Sequence, residues 1–239
     1  RSCASVLEGK WATDLLPPIL KREMGSLWPH QVQGIAQALT VLETQGAVVI
    51  ADPTGSGKTK AGAWLFRLAY NRMISRGGEN IDSLIPVIVS PSSVANNWFI
   101  ATDEVSVPRL VLTMNNLSNQ RRASTARKIK QIERTNLLAV DEIHNYYSKT
   151  SDRTRTLGSN YAESRIFFTA TPINRKFSDI IQLMNLLGIA DLDSEIVRKM
   201  KNLDEKINSP KTETRDAARN EAKKLVQRFM IRRTRDDLK

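Results

Sequence analysis

The chain has 239 residues, of which 41% are hydrophobic, so it is long enough to form a domain with a substantial core. Its net charge of +11 favours a polyanionic partner such as nucleic acid, although a solvated basic face without a partner gives the same composition. The single cysteine, Cys3, excludes an internal disulfide, and no apolar run is long enough to span a bilayer.

The first predicted elements along the chain are a lead-in over residues 1–44 and the strand that follows it. Pro29 begins a helix within this lead-in, because apolar residues then recur every three or four positions. The β-branched run at 47–51 predicts a buried strand. We expect the main domain to cover residues 45–191 and a helical extension to cover 192–239.

A glycine-rich turn separates this strand from a helix predicted over 58–73. Gly55 and Gly57 can adopt backbone angles that side chains disfavour, which lets N–H groups approach phosphate oxygens at the start of the helix. Lys58 would reach the outer phosphates of a nucleotide, and the Thr59 hydroxyl would bind Mg²⁺. An ordinary solvent loop is the alternative, which the flanking strand and helix disfavour. The candidate nucleotide ligands in this loop are Thr54, Gly55, Ser56, Gly57, Lys58 and Thr59.

Two adjacent carboxylates follow a strand predicted over 136–140. In a parallel sheet this strand would deliver Asp141 and Glu142 to the edge that carries the glycine-rich turn. Mg²⁺ needs only one or two carboxylates beside phosphate ligands, so we assign Asp141 to the metal. Glu142 would orient or deprotonate the attacking water, and His144 would sense the outer phosphate. An acidic turn without a catalytic role is the alternative.

A third apolar run, at 165–169, ends in a turn that contains Thr169 and Thr171. Their hydroxyls can hydrogen-bond to Asp141 or Glu142 and so transmit the nucleotide state, whereas ordinary turn chemistry is the alternative. Strands that alternate with helices predict an α/β fold in which helices cover both faces of a mainly parallel sheet. The other predicted elements are strands at 86–90 and 109–113 and helices at 93–102, 117–134 and 152–162.

The composition changes after Gly188, where the strand pattern ends and charged residues become frequent. One apolar stripe with helical spacing runs from Ile196 to Ile207, and a second runs from Ala218 to Phe229. These stripes predict two helices that pack against each other and against either the main domain or a partner lobe.

The order of the motifs resembles the first RecA-like, P-loop NTPase lobe of superfamily 2 helicases, and most closely the SWI/SNF-type DNA translocases. The glycine-rich turn, Asp141–His144 (a DExH box) and Thr169–Pro172 correspond to three of the family's motifs. The other matching segments are Leu27–Gln31, Ser90–Ser93 with Asn97 and Trp98, Val111–Leu117 and Phe229–Arg235.

The resemblance implies that Gln31 contacts the adenine base, and that Ser92, Thr113 and Asn115 contact the DNA backbone. Two basic clusters lie nearby in sequence, although each is more simply interpreted as a solvated helix face. The clusters are Arg121, Arg122, Arg127, Lys128 and Lys130, and Lys149, Arg153 and Arg155.

The resemblance further implies an ATP- and Mg²⁺-dependent motor lobe that moves on double-stranded DNA. In the family a second lobe supplies arginines that stabilise the transferring phosphate, so we expect this chain alone to be nearly inactive. A nucleotide-gated nucleic-acid-binding module without turnover is one alternative, which the intact Glu142 disfavours, and a DExH-type RNA helicase is another. The lone cysteine and the lack of a recognisable secretory signal favour an intracellular protein, cytoplasmic or nucleoid-associated in a prokaryote and nuclear in a eukaryote.

Overall fold

The structure, a computed structural model, describes most of the chain. It covers residues 23–76, 85–118, 123–148, 150–172, 178–188, 194–207 and 211–233. The start of the predicted lead-in, up to residue 22, lies outside these ranges, as do Arg121, Arg122 and Lys149 of the two basic clusters.

One parallel sheet organises the described residues. Its strands are β1 (Ala47–Ile50), β2 (Val87–Ser90), β3 (Leu110–Thr113), β4 (Leu137–Val140), β5 (Ser164–Phe168) and β6 (Met230–Ile231). They lie in the order β3-β2-β4-β5-β1-β6, and every pairing is parallel. Since β5 separates β1 from β4, the ends of those two strands lie roughly 10 Å apart, twice the usual strand spacing.

Helices connect the strands and cover both faces of the sheet. They are α1 (Pro29–Gln45), α2 (Lys58–Arg76), α3 (Ala95–Glu104), α4 (Met114–Ser118), α5 (Ala123–Arg134), α6 (Asp152–Gly158), α7 (Ser178–Leu187), α8 (Ser194–Ile207) and α9 (Thr212–Val226). The α/β fold predicted from the sequence is thereby confirmed. Within the described ranges, no helix combines the length and the apolar character that crossing a membrane requires.

Alternation along the strands divides the core into two layers. Val48 and Ile50 face one layer with α1, α2 and α3, whereas Ala47 and Val49 face the other with α4 to α9. All four residues of β1 are buried, as are all four of β2 and of β4. Burial on both faces is the reason that these strands are continuous apolar runs in the sequence.

The five strands predicted from the sequence are present, each within one residue of its predicted bounds. The helix predicted over 152–162 is shorter, because Asn160 turns the chain towards β5. The Asn160 amide donates to the Leu157 carbonyl, and its oxygen accepts bonds from the Ala162 backbone and the Arg165 guanidinium. These bonds replace the helical ones.

The C-terminal helices pack as their apolar stripes predict. Helix α8 contacts both α9 and α7. The buried residues Met200 and Leu203 of α8, with Ala218 and Ala222 of α9, belong to the same core layer as β1 and β4. The boundary between residues 191 and 192 stays a prediction, since these helices share the core of the sheet.

Strand β6 is an element that the sequence analysis did not predict. It lies within the segment assigned to a helical extension, and it adds a sixth strand beside β1. The Val49 N–H donates to the Phe229 carbonyl and the Ala51 N–H donates to the Ile231 carbonyl, both at 2.8 Å. The chain after α9 therefore returns to the strand that precedes the glycine-rich turn.

Candidate nucleotide site

The glycine-rich turn forms a tight loop between β1 and the first residue of α2. Gly55 and Gly57 have φ of +85° and +74°, angles that strain other residues. A Cβ at Gly57 would also collide with the side-chain nitrogen of Gln31. The backbone angle favours glycine at 57, the Gln31 amide occupies the space beside it, and the loop leads into the positive end of a helix.

The Lys58 ammonium lies across this loop. Its Nζ donates to the carbonyl of Asp52 at 2.9 Å and to that of Pro53 at 3.0 Å. Thr59 is the second residue of the same helix and is partly buried. The cation is therefore held on two carbonyls of the loop, and a hydroxyl-bearing residue follows it at the start of α2.

Gln31 connects α1 to the loop. Its Oε1 accepts a bond from the Trp28 backbone at 2.9 Å, and its Nε2 donates to the carbonyls of Ser56 at 3.2 Å and Gly57 at 3.4 Å. The side chain is 4% exposed. Its amide group is engaged in supporting the loop, and the adenine contact stays a prediction.

Asp141 follows β4 and is held by two hydrogen bonds. Its Oδ2 accepts a bond from Nε1 of Trp98 at 2.9 Å, and its Oδ1 accepts one from the Glu142 backbone at 3.0 Å. Burial raises the pKa of Asp141, while the Trp98 bond opposes that rise. The carboxylate is thereby fixed in direction, which suits a metal ligand.

Trp98 is a site residue that the sequence indicated only as part of a family motif with Ser90–Ser93 and Asn97. The side chain is fully buried, and its ring lies 5.3 Å from that of Phe168, centroid to centroid. A Cβ at Gly62 would lie 2.7 Å from the Trp98 ring and 2.8 Å from that of Phe168. Helices α2 and α3 thus meet at this indole. The sequence offered no signal for this role beyond the tryptophan itself.

Glu142 has an unusual backbone conformation for a residue with a side chain. Its φ of 50° and ψ of 52° lie in the left-handed region, where strain is often associated with function. Nδ1 of His144 lies 3.2 Å from Oε2 of Glu142 and 3.1 Å from the hydroxyl of Thr169. The His144 hydrogen bond lowers the pKa of Glu142, so this carboxyl is ionised at neutral pH.

The threonine turn after β5 reaches the acidic pair by a different route from the one expected. The Thr169 hydroxyl contacts His144 and accepts a bond from the Thr171 backbone at 3.0 Å. The Ala170 backbone bonds to Glu142 and helps to lower its pKa. The hydroxyl of Thr169 therefore reaches the Glu142 carboxylate through His144. Thr171 is exposed, and the coupling role of both threonines stays a prediction.

The loop and the acidic pair face a common space. Burial dominates the raised pKa of Asp141, and the His144 bond dominates the lowered pKa of Glu142, but the Lys58 ammonium lowers the pKa of both. Because β5 lies between β1 and β4, these charges interact across the end of that one strand. The arrangement can hold an anion and a cation next to a carboxylate base.

The candidate DNA contacts lie at the same edge of the sheet, beyond β4. Ser92, in the turn after β2, is exposed, as is Asn115 at the start of α4. The backbone and hydroxyl of Thr113 donate to Asn116 at 2.9 and 3.0 Å. These residues are separate from the nucleotide residues, and their contact with DNA stays a prediction.

The basic clusters are partly neutralised where the structure describes them. Arg155 on α6 forms an ion pair with Asp152, and a groove between α5 and α6 is lined by Glu133 and Asp152 as well as Arg155. This mixed charge does not single out a nucleic-acid groove.

More than half of the chain matches one known protein family. A family model described as the SNF2-related domain matches residues 104–239. The chain belongs to the SNF2-related domain family. This family confirms the resemblance to SWI/SNF-type proteins that the motifs indicated. The match begins at the end of α3 and includes the acidic pair and the threonine turn, whereas the glycine-rich loop precedes it.

Two curated proteins of this family are similar along most of the chain. ISWI chromatin-remodeling complex ATPase ISW1 of Saccharomyces cerevisiae is 21% identical, over 90% of this chain and 20% of that protein. DNA repair protein rhp54 of Schizosaccharomyces pombe is 24% identical, over 89% of this chain and 30% of that protein. The chain therefore spans less than a third of either relative.

Solved SNF2-family structures share the fold. The Sulfolobus solfataricus SWI2/SNF2 ATPase core in complex with dsDNA matches with a TM-score of 0.63 at 18% identity, covering 86% of this chain and 44% of that one. The SWI2/SNF2 ATPase core domain of the same organism matches with a TM-score of 0.62 at 19% identity, covering 86% and 43%. The likeness confirms the RecA-like fold of the sheet and its helices.

Proposed function

We propose that this chain is the first motor lobe of an ATP-dependent translocase that acts on double-stranded DNA. The observation that carries the proposal is that the Lys58 loop after β1 and the acidic pair after β4 lie at the same ends of the parallel strands, near enough for the Lys58 charge to lower the pKa of both carboxyls. Family membership adds the class of enzyme, since both curated relatives are named for work on chromatin or DNA. The proposal implies an intracellular protein.

The residues present fit a nucleoside triphosphate. Backbone N–H groups of the loop and the start of α2 are suited to phosphate oxygens, because positive φ angles such as those of Gly55 and Gly57 occur where successive N–H groups form anion-binding turns. Lys58 would exchange the Asp52 and Pro53 carbonyls for phosphate oxygens when a nucleotide enters. Gln31 supports the loop from behind through Nε2, and its Oε1, which accepts one bond from Trp28, has a second lone pair that suits the amino group of a base.

The residues also fit Mg²⁺. Asp141 offers a buried, oriented carboxylate, and Thr59 offers a hydroxyl at the phosphate loop. This hard oxygen donor set is the kind that Mg²⁺ takes when phosphates complete its coordination. When bound, the ion supplies positive charge that neutralises phosphate oxygens during transfer.

Glu142 is the residue that we assign to the attacking water. Its pKa is held low by His144, so it is ionised and can accept a hydrogen bond or a proton. The contacts of His144 with both Glu142 and Thr169 suit a sensor of the outer phosphate that reports to the threonine turn. These roles match those expected from the sequence for Glu142 and His144.

DNA is proposed as the track, with contacts to its backbone. One of the similar Sulfolobus ATPase cores was solved in complex with dsDNA, and the net charge of +11 here favours a polyanion. Ser92, Thr113 and Asn115 lie at the sheet edge with hydroxyl and amide groups that can bind phosphate without reading sequence. A second lobe of the same protein is proposed to complete the site.

The experiment that tests this function measures ATP turnover by the full-length protein with duplex DNA, single-stranded DNA or RNA as activator. We expect duplex DNA to activate most. We expect Lys58→Ala to lower turnover roughly 100-fold or more, because it removes a charge at the transferring phosphate. Lys224→Ala, at an exposed lysine of α9, is the matched control and should leave turnover unchanged.

The other outcomes separate the alternatives. Unchanged turnover in Lys58→Ala would reject the role of Lys58. Activation by RNA alone would favour an RNA helicase. Nucleotide binding that alters DNA affinity without turnover would favour a nucleotide-gated module.

A further inference from the structure

A buried ion pair joins the start of the phosphate loop to the end of the described chain. The guanidinium of Arg233 binds both carboxylate oxygens of Asp52, and its Nε lies 3.1 Å from Oδ1. The Arg233 backbone N–H also donates to Oδ1 at 3.1 Å. The two residues are 181 positions apart, so the pair fixes the tertiary position of the loop rather than its local shape.

The same guanidinium also holds α1. Its remaining Nη1 donates to the carbonyl of His30, the residue next to Gln31. A Cβ at Gly34, one turn further along α1, would collide with the guanidinium. Arg233 therefore lies in a fitted space between α1 and the phosphate loop, and glycine at 34 makes room for it.

Burial gives this pair a large influence on the loop. The side chain of Asp52 is 2% exposed and that of Arg233 is 13% exposed. An unpaired carboxylate in such a position is strongly unfavourable, and it would also repel a phosphate bound next to it. A planar guanidinium neutralises that charge with a fixed two-point geometry that lysine lacks.

Asp52 is also in contact with the catalytic lysine through its backbone. Its carbonyl accepts a bond from Lys58, while its carboxylate binds Arg233. Because β6 pairs with β1 and ends two residues before Arg233, Asp52 connects the Lys58 contact to the ion pair that follows β6. A change in the bond between Lys58 and the Asp52 carbonyl therefore acts on Asp52, whose carboxylate holds Arg233 after β6.

We propose that Arg233 is a positioning residue that couples nucleotide binding at the phosphate loop to the segment formed by β6 and Arg233. This rests on the proposed function, in which Lys58 transfers from the Asp52 carbonyl to a phosphate. The coupling provides a route by which the nucleotide state at the phosphate loop reaches β6 and Arg233, on the C-terminal side of the sheet domain. Coupling of this kind is reciprocal, and holding β6 in place strengthens nucleotide binding.

The test uses the full-length protein and four variants: Arg233→Lys, Asp52→Asn, the double variant, and Arg219→Gln as the matched control. Arg219 lies on α9 in an exposed pair with Asp216 at 3.7 Å. Nucleotide affinity is measured with a fluorescent ATP analogue and Mg²⁺, and unfolding temperature is measured in parallel. We expect each single variant to weaken binding about tenfold and the double variant to be no weaker than the worse single one.

A purely structural pair would lower the unfolding temperature and leave the affinity of the folded fraction unchanged, and that result would overturn the proposal. Fully additive losses in the double variant would overturn it as well. Unchanged affinity in Arg219→Gln is expected in every case.

Hydrogen exchange of the wild-type protein decides the matter even if a variant does not fold. We expect ATP with Mg²⁺ to slow exchange of the amides at 229–233 as well as those at the start of α2. Slowing at α2 alone would overturn the coupling and leave the proposed function intact. No slowing at either place, with no binding of the analogue, would instead contradict the proposed function on which the coupling rests.

Discussion

The two halves of the sheet's carboxyl edge are built differently. On the half formed by β1, β5 and β4, most polar side chains are buried or half-buried, as the 4% exposure of Gln31 and the 7% exposure of Asp141 illustrate, although Thr54 and Thr171 are exposed. On the half formed by β2 and β3, Ser92 and Asn115 are exposed. The first half is a preorganised chemical site, whereas the second is a surface.

This difference matches two kinds of task. Phosphate chemistry depends on charges held in fixed positions, because reorganising them during the reaction is costly. Contacts to a nucleic-acid backbone are individually weak and independent of sequence, so they tolerate mobile side chains. We therefore expect substitutions on the first half to have large effects on turnover and those on the second half to have small effects on affinity.

The largest effect is expected from Glu142→Gln. The amide cannot accept the proton of the attacking water, so turnover should fall by roughly 100- to 10,000-fold while nucleotide binding persists. Single-turnover hydrolysis and nucleotide titration of the full-length protein measure the two quantities. The exposed Glu104 provides the control Glu104→Gln. A variant that loses binding along with turnover would mean that Glu142 is structural.

A smaller effect is expected from Trp98→Phe. Phenylalanine keeps an aromatic ring against Phe168 but removes the N–H that binds Asp141. Loss of such a support typically costs about 10- to 100-fold in metal affinity or activity, so the Mg²⁺ concentration for half-maximal turnover should rise. An unchanged Mg²⁺ dependence would show that the indole does not orient the metal ligand.

Asp141→Asn should raise thermal stability even though it lowers turnover. Burial raises the folded-state pKa of Asp141 above its unfolded value. The wild-type fold therefore loses stability as pH rises from the unfolded-state pKa to the folded-state pKa of this carboxyl. Asparagine removes the buried charge and can still accept the Trp98 bond, at the cost of the bond from the Glu142 backbone. The variant should unfold a few degrees higher at neutral pH, and the gap should shrink at acidic pH. Scanning calorimetry at the two pH values measures this, and a variant less stable at neutral pH would contradict it.

The smallest effect is expected from Asn115→Ala on the other half of the edge. Loss of one neutral phosphate contact should weaken duplex-DNA binding by a few-fold, equally for unrelated sequences and with an unchanged salt dependence. Asn202→Ala, at an exposed position of α8, is the control. A large loss of turnover without loss of DNA binding would remove the distinction between the two halves.

The sequence predicted the strands, turns and helix starts of the half formed by β1, β5 and β4 because their signals are local. A buried strand, a glycine turn and a helix start are contiguous, and so are β4 and the acidic pair. What escaped prediction depends on distant contacts. Strand β6 is two residues long and too short for a periodic pattern, Arg233 meets Asp52 across 181 positions, and Trp98 meets Asp141 across 43. For the half formed by β2 and β3, the sequence indicated candidate residues such as Ser92 and Asn115 but not how they are arranged.

The central claim is that Lys58, Asp141 and Glu142 surround a single nucleotide–metal complex. The most direct test is an experimental structure of the full-length protein with a non-hydrolysable ATP analogue and Mg²⁺. We expect phosphates on the backbone of the glycine-rich loop, Lys58 moved from the Asp52 carbonyl to a phosphate, and Mg²⁺ between Thr59 and Asp141. A triphosphate bound elsewhere, with Lys58 still on the Asp52 and Pro53 carbonyls, would contradict that claim.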